Sequence, residues 1–180
     1  ADQEQLYARL IGQGVLARAR YESLDSGAGL TDEEVARLAQ LTVWEGLDFE
    51  NVLLAINQRL AGDHRRSDRL VECIQASPEQ SILFFTNSVA HAEEMAARLN
   101  VVGVGAAAVS GGTPPAARRY FLDRFQRGEI RVLCNHSVLS TGFDAPKTDM
   151  VLIARQVFSP VRYMQMVGRG LRGEKNGGTA

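Results

Sequence analysis

Gln165, Arg169 and Arg172 stand at i, i+4 and i+7, and Gly168 and Gly170 flank the middle arginine. On a helix that spacing places the three polar side chains on one face. Two guanidinium groups on a shared face suit a polyphosphate, because each can pair two N–H groups with phosphate oxygens. Each glycine costs a helix interior roughly 1 kcal/mol relative to alanine, so the pair suggests that something comes close to this backbone. A solvated basic face near a helix C-terminus, favoured by the helix dipole, accounts equally for these arginines taken alone.

Three further clusters carry polar chemistry. Ser140-Thr-Gly-Phe-Asp144 joins a turn glycine to hydroxyls and a carboxylate. Such a turn can offer amides to phosphate and a carboxylate to a sugar hydroxyl. Phe84-Phe-Thr-Asn-Ser88 runs from an apolar stretch into hydroxyl and amide side chains, which also suits a helix N-cap. Ser110-Gly-Gly-Thr-Pro114 is a turn, with Arg118 in the helix that follows.

The elements that must position these groups can be read from periodicity. Ser81–Phe85 is a continuous apolar run, the mark of a strand covered on both faces. Val101–Val109, Ile130–Cys134 and Met150–Ile153 fit further strands. Helices are expected over Ser88–Leu99 and Pro115–Arg127, the latter with proline at its start and Gly128 at its end. A last helix is capped by Ser159 and opens on Pro160. Strands alternating with helices imply an α/β fold, a parallel sheet with helices on both faces. Ligands of such sheets bind beyond the carboxyl ends of the strands, and each cluster falls just past a strand or at a helix start. Residues 1–75 read as mostly helical. Gln3–Ile11 has helical composition, and Gly14–Leu24 alternates loosely enough for an edge strand. Asp25–Gly29 is a loop, and Thr31 and Glu34 form a capping box for the next helix. Asp48–Leu60 puts Val52, Leu53, Ile56 and Leu60 on one face. Gly62–Arg66 reads as a polar loop before a short helix over Arg69–Ala76.

Composition sets the class. The 180 residues are 45% hydrophobic and 23% charged, the balance of a globular domain. No apolar run reaches membrane-spanning length, and no signal peptide opens the chain. The first residue is not Met, which suggests a missing N-terminus. Cys73 and Cys134 have no metal-ligand spacing and suit two reduced thiols in a cytoplasmic protein; no metal site is expected. Net charge is −1, divided as −5 over residues 1–75 and +4 over 76–180. The basic part is where a polyanion would dock.

In this order and spacing, the clusters resemble the second RecA-like domain of superfamily 2 helicases and translocases. Phe84-Phe-Thr-Asn87 is similar to motif IV of that family, Ser140–Asp144 to motif V and Gln165–Arg172 to motif VI. Ser110, Gly111 and Arg118 are similar to smaller elements between them. The resemblance covers residues 80–172. It implies that Arg169 and Arg172 are arginine fingers toward the γ-phosphate of ATP, with Gln165 organising that contact. Gly142 would allow close approach and Asp144 would hold the ribose. Thr86, Asn87, Ser110, Gly111, Arg118 and Thr141 would touch the nucleic-acid backbone, which gives grip without sequence preference. Residues 76–180 would then be the helicase C-terminal domain, and residues 1–75 a helical linker joining two motor domains.

A complete motor needs a P-loop, G-x-x-x-x-G-K-[ST], to cradle phosphates and place Mg²⁺. No such run occurs in these residues. Asp32-Glu-Glu-Val35 resembles the acidic Mg²⁺ motif only superficially, since a capping box explains it. ATP and Mg²⁺ would be held mainly by a partner N-terminal RecA-like domain, and this chain alone would not hydrolyse ATP. A motif VI opening on Gln165 is similar to that of DNA-repair and restriction-type members, which favours DNA over RNA. Two other readings remain open: a non-catalytic nucleic-acid or protein-binding module that keeps the fold, and an unrelated α/β nucleotide-binding domain.

Overall fold

The computed structural model describes residues 2–41, 47–136 and 148–171. Four helices come first: α1 (Asp2–Gly12), α2 (Asp32–Ala39), α3 (Leu47–Ala61) and α4 (His64–Ala76). The sheet region follows as β1 (Ile82–Phe85), α5 (Val89–Val101), β2 (Ala106–Val109), α6 (Pro115–Gln126), β3 (Val132–Asn135), β4 (Met150–Ile153) and α7 (Pro160–Val167). The strands form one parallel sheet in the order β2-β3-β1-β4. The expected α/β architecture, RecA-like with helices on both faces, is the one found.

Alternation along the strands sends neighbouring side chains to opposite faces. Ile82, Phe84, Val132 and Cys134 enter one apolar layer with Met95 and Leu99 of α5 and Leu70 and Ile74 of α4. Leu83, Phe85, Leu133 and Val109 enter the other, with Phe125 of α6 and Met166 of α7. Every residue of β1 and β3 is buried, all apolar except Asn135 at the end of β3, as expected of strands covered on both faces. The register aligns Phe85 with both Asn135 and Ile153, and Val109 with Asn135. All four strands therefore end at one level, and residues 86, 110, 136 and 154 share one edge.

The upstream helices have their own small core of Leu38, Phe49, Val52, Leu53, Ile56 and Leu60. The capping box at Thr31 and Glu34 is present, and the Glu34 carboxylate also receives Arg59 of α3 in a two-pronged pair at 2.7 and 2.8 Å. That pairing holds the Glu34 carboxyl below its usual range.

Four expectations need correction. Gly14–Leu24 makes no ladder; beyond a single bridge at Leu16, with Ala17 N–H donating to the Leu171 carbonyl at 2.9 Å, it runs without regular structure. Most of the segment is exposed, and it joins no strand ladder among the described residues. Val101–Val109 is a strand only from Ala106. Val101 closes α5, and Gly103, at φ +82, turns the chain. Gly62–Arg66 is a connection only at Gly62 and Asp63: Asp63 caps α4, accepting from the Arg66 N–H at 3.0 Å, so the helix starts at His64. Finally, α7 ends at Val167. Gly168 is its C-cap, and the Arg169 N–H bonds to Met166 O at 3.2 Å in a tighter turn. Arg169 therefore lies in the turn that follows the helix and not in the helix itself.

Candidate nucleotide and nucleic-acid interface

At the end of β1, Thr86 is fully buried. Its N–H donates to Asn135 O at 2.9 Å, and its hydroxyl lies 3.0 Å from that oxygen and 3.1 Å from Ser88 O. Asn87 is also buried. Its Oδ1 accepts from Arg66 Nη1 at 2.9 Å, and its Nδ2 donates to Asn57 Oδ1 at 2.9 Å. Both side chains expected to touch nucleic acid are thus turned inward and bonded within the protein.

The end of β2 is built differently. The Ser110 N–H donates to Thr113 Oγ1 at 2.9 Å, and the Thr113 N–H returns to Ser110 O at 3.1 Å. Arg118 Nη2 then reaches three carbonyls of this turn: Ser110 at 3.0 Å, Thr113 at 3.3 Å and Gly111 at 3.4 Å. Arg118 thus shapes the loop. Gly111 is exposed, and a side chain built on it would meet nothing within 4 Å. The space beside its backbone is open to a ligand.

Past β4 lies the arginine turn. Ser159 caps α7 by accepting the Arg162 N–H at 3.3 Å. Gln165 is exposed, whereas Met166 and Val167 anchor the helix in the core. The flanking glycines serve internal contacts. A Cβ on Gly168 would stand 2.9 Å from Met164 O, and one on Gly170 would stand 2.9 Å from Val151 Cγ2. What approaches this backbone is the protein itself. The Leu171 carbonyl is held in turn by Ala17. Arg169, partly exposed, is therefore carried on a turn fixed at both ends. Arg172, and Ser140–Asp144 with Thr141, Gly142 and Asp144, lie outside the described residues.

The sequence reading missed a buried polar cluster behind this edge. Arg66 sits with Asn87, the Ala154 carbonyl and, at 3.5 Å, the Leu60 carbonyl. Burial lowers its pKa. Asn57 accepts from Asn87 and from the Gln156 N–H at 3.1 Å. His91 Nδ1 accepts the Asn87 N–H at 3.4 Å, and its Nε2 lies 3.4 Å from Ser67 Oγ. Burial pushes the His91 pKa down to about 4, so the ring is neutral near pH 7. A signal for Arg66 was present: it shares the i, i+4, i+8 row with Leu70 and Ile74, which a helix starting at His64 would have aligned. Among the described residues, no group of three or more His, Cys, Asp or Glu could hold a metal ion. No helix among them is long and apolar enough to cross a membrane.

The helicase conserved C-terminal domain family matches residues 65–174, more than half of the chain. The chain belongs to that family. A similar protein is the ATP-dependent rRNA helicase rrp-3 of Neurospora crassa, 32% identical over 98 residues, 54% of this chain and 19% of the relative. Another is the putative ATP-dependent helicase IRC3 of Saccharomyces cerevisiae, 31% identical over 93 residues, 52% of this chain and 14% of the relative. The crystal structure of a DEAD box protein from the hyperthermophile Methanococcus jannaschii superposes with a TM-score of 0.56 at 26% identity, over 65% of this chain and 32% of that one. The chain spans about a quarter or less of the length of such curated relatives. It is a helicase C-terminal domain with the RecA-like fold of superfamily 2.

Proposed function

We propose that this helicase C-terminal domain is half of an ATP-dependent nucleic-acid motor, working against an N-terminal RecA-like domain. What supports this reading is that Arg169 sits on a turn whose neighbours are held, Gly170 against Val151 of β4 and Leu171 by Ala17. A preorganised guanidinium stabilises charge that develops on a transferring phosphoryl group, because it needs no rearrangement as the barrier is crossed. Such a finger contributes about 10³–10⁵-fold to turnover.

ATP with Mg²⁺ would be held mainly by the partner domain. Toward it this chain would contribute Arg169 and Arg172, organised by Gln165, with Gly142 allowing close approach and Asp144 holding the ribose. When bound there, ATP would supply the free energy for the motor's work. On the nucleic-acid side, the open backbone at Gly111 and Ser110, shaped by Arg118, would meet phosphates together with Thr141. Thr86 and Asn87 would act from behind, by fixing the end of β1. Residues 1–75 would join the two motor domains.

The preference for DNA drawn from Gln165 gains no support from the relatives, since rrp-3 is named for rRNA. We therefore assign nucleic acid as the polymer and leave its sugar to measurement: single-stranded RNA and DNA oligomers are compared as activators of the full-length ATPase. In the same assay, Arg169→Ala should abolish stimulated turnover while ATP binding survives. Undiminished turnover in that variant removes the finger assignment.

A further inference from the structure

The connection from β4 to α7, residues 154–159, is gripped at every second position by the helices upstream of the sheet. The Ala154 carbonyl accepts from Arg66 of α4. The Gln156 N–H donates to Asn57 of α3 at 3.1 Å. The Phe158 ring meets Phe49 of α3 edge-on, with centroids 5.8 Å apart. Two backbone groups and one ring thus hold the connection against the α3–α4 pair. The same two polar side chains also hold β1. Asn87 is bonded to Arg66 through its oxygen and to Asn57 through its nitrogen. Asn57 and Arg66 are both buried.

We propose that the α3–α4 pair is a strut that couples the nucleic-acid edge of the domain to its arginine turn, with Asn57 as the positioning residue. A displacement of the β1 end moves Asn87. Asn87 is tied to Asn57, and Asn57 is tied to Gln156, four residues before α7 begins. The Asn87–Asn57 bond is buried and the Gln156–Asn57 bond partly so, which limits exchange of partners with water, so the three groups shift together or break at a cost. This inference rests on the motor reading given above. It adds a role for residues outside the matched motifs: Asn57 precedes the family match, which starts at residue 65.

The test uses the full-length protein and its ATPase, with and without single-stranded oligo(U) and, separately, oligo(dT). The variants are Asn57→Ala, Asn57→Asp and Arg169→Ala, with turnover expressed per folded molecule from circular dichroism. Asn57→Ala removes the acceptor for Asn87 and Gln156. It should lower the stimulation factor about tenfold, within the usual range of coupling between sites, while basal turnover and KM for ATP stay unchanged. Asn57→Asp keeps an oxygen acceptor for both partners and should retain most of the stimulation, although a buried carboxylate makes it the less stable protein. A merely structural role predicts the reverse order, with stimulation following stability. That order, or an unchanged stimulation factor in Asn57→Ala, overturns the strut. If Arg169→Ala keeps full turnover, or neither polymer stimulates the wild-type protein, the motor reading falls and the strut with it. If Arg169→Ala is inactive and Asn57→Ala is fully stimulated, only the strut falls.

Discussion

Replacing Gly170 with alanine isolates the contact that fixes the arginine turn. Gly170 does not adopt a left-handed backbone, so space alone decides the outcome. The added Cβ would sit 2.9 Å from Val151 Cγ2 and 3.7 Å from Val167 O. Carbon pairs prefer about 3.5–4.0 Å, so roughly 0.6–1 Å of overlap must be relieved. Val151 has little freedom to turn, being β-branched and paired with Leu83 across the β1–β4 ladder. On the other side, Met166 is anchored in the core. Overpacking of this kind costs about 1–3 kcal/mol. With a urea dependence near 2 kcal/mol per molar, the unfolding midpoint should fall by about 0.5–1.5 M. Val151→Ala alone removes partly buried methyls and should cost about 1 kcal/mol. Combined with Gly170→Ala it also removes the clash, so the double variant should be more stable than the two single effects predict, by about 1 kcal/mol or more. Urea unfolding followed by circular dichroism measures all four proteins. Additive effects, or an unchanged midpoint in Gly170→Ala, would refute the view that this glycine exists to let β4 approach.

Unfolded His91 takes up a proton near pH 6.5, while the buried ring stays neutral down to about pH 4. Its contribution to folding is therefore fully present above pH 6.5. It is lost progressively as the pH falls through that window, by about 3 kcal/mol in all. Burial shifts His136 the same way and adds to the slope. Urea midpoints between pH 4 and 7 should vary less steeply in His91→Gln than in the wild type, and parallel curves would contradict this account. Asp63→Ala removes the α4 cap and should cost about 1 kcal/mol, seen as a lower Tm. Burial raises the thiol pKa of both cysteines, and Cys134 is fully enclosed. A disulfide reagent should therefore label only Cys73 in the native protein, slowly, and Cys134 only after unfolding; rapid labelling of both would contradict the burial.

Sequence by itself determined the layer order and the family. Apolar runs at 81–85 and 130–134, separated by amphipathic segments, leave a parallel sheet as the way to bury both faces. Local chemistry also marked the caps at Thr31, Ser88 and Ser159, because a cap involves only residues a few positions apart. The role of each polar residue was less legible. Thr86 and Asn87 carry the right types at a strand end, yet their hydrogen bonds run to Asn135, Arg66 and Asn57, between 21 and 49 positions away. Gly168 and Gly170 looked like room for a ligand, and Val151, distant in sequence, turned out to fill the space beside Gly170. The polar stretch at 62–66 read as solvated loop because composition does not say which polar group will be buried. Only the tertiary structure decides that: a polar side chain can leave water when partners from several elements converge on it, as they do on Arg66 and Asn57.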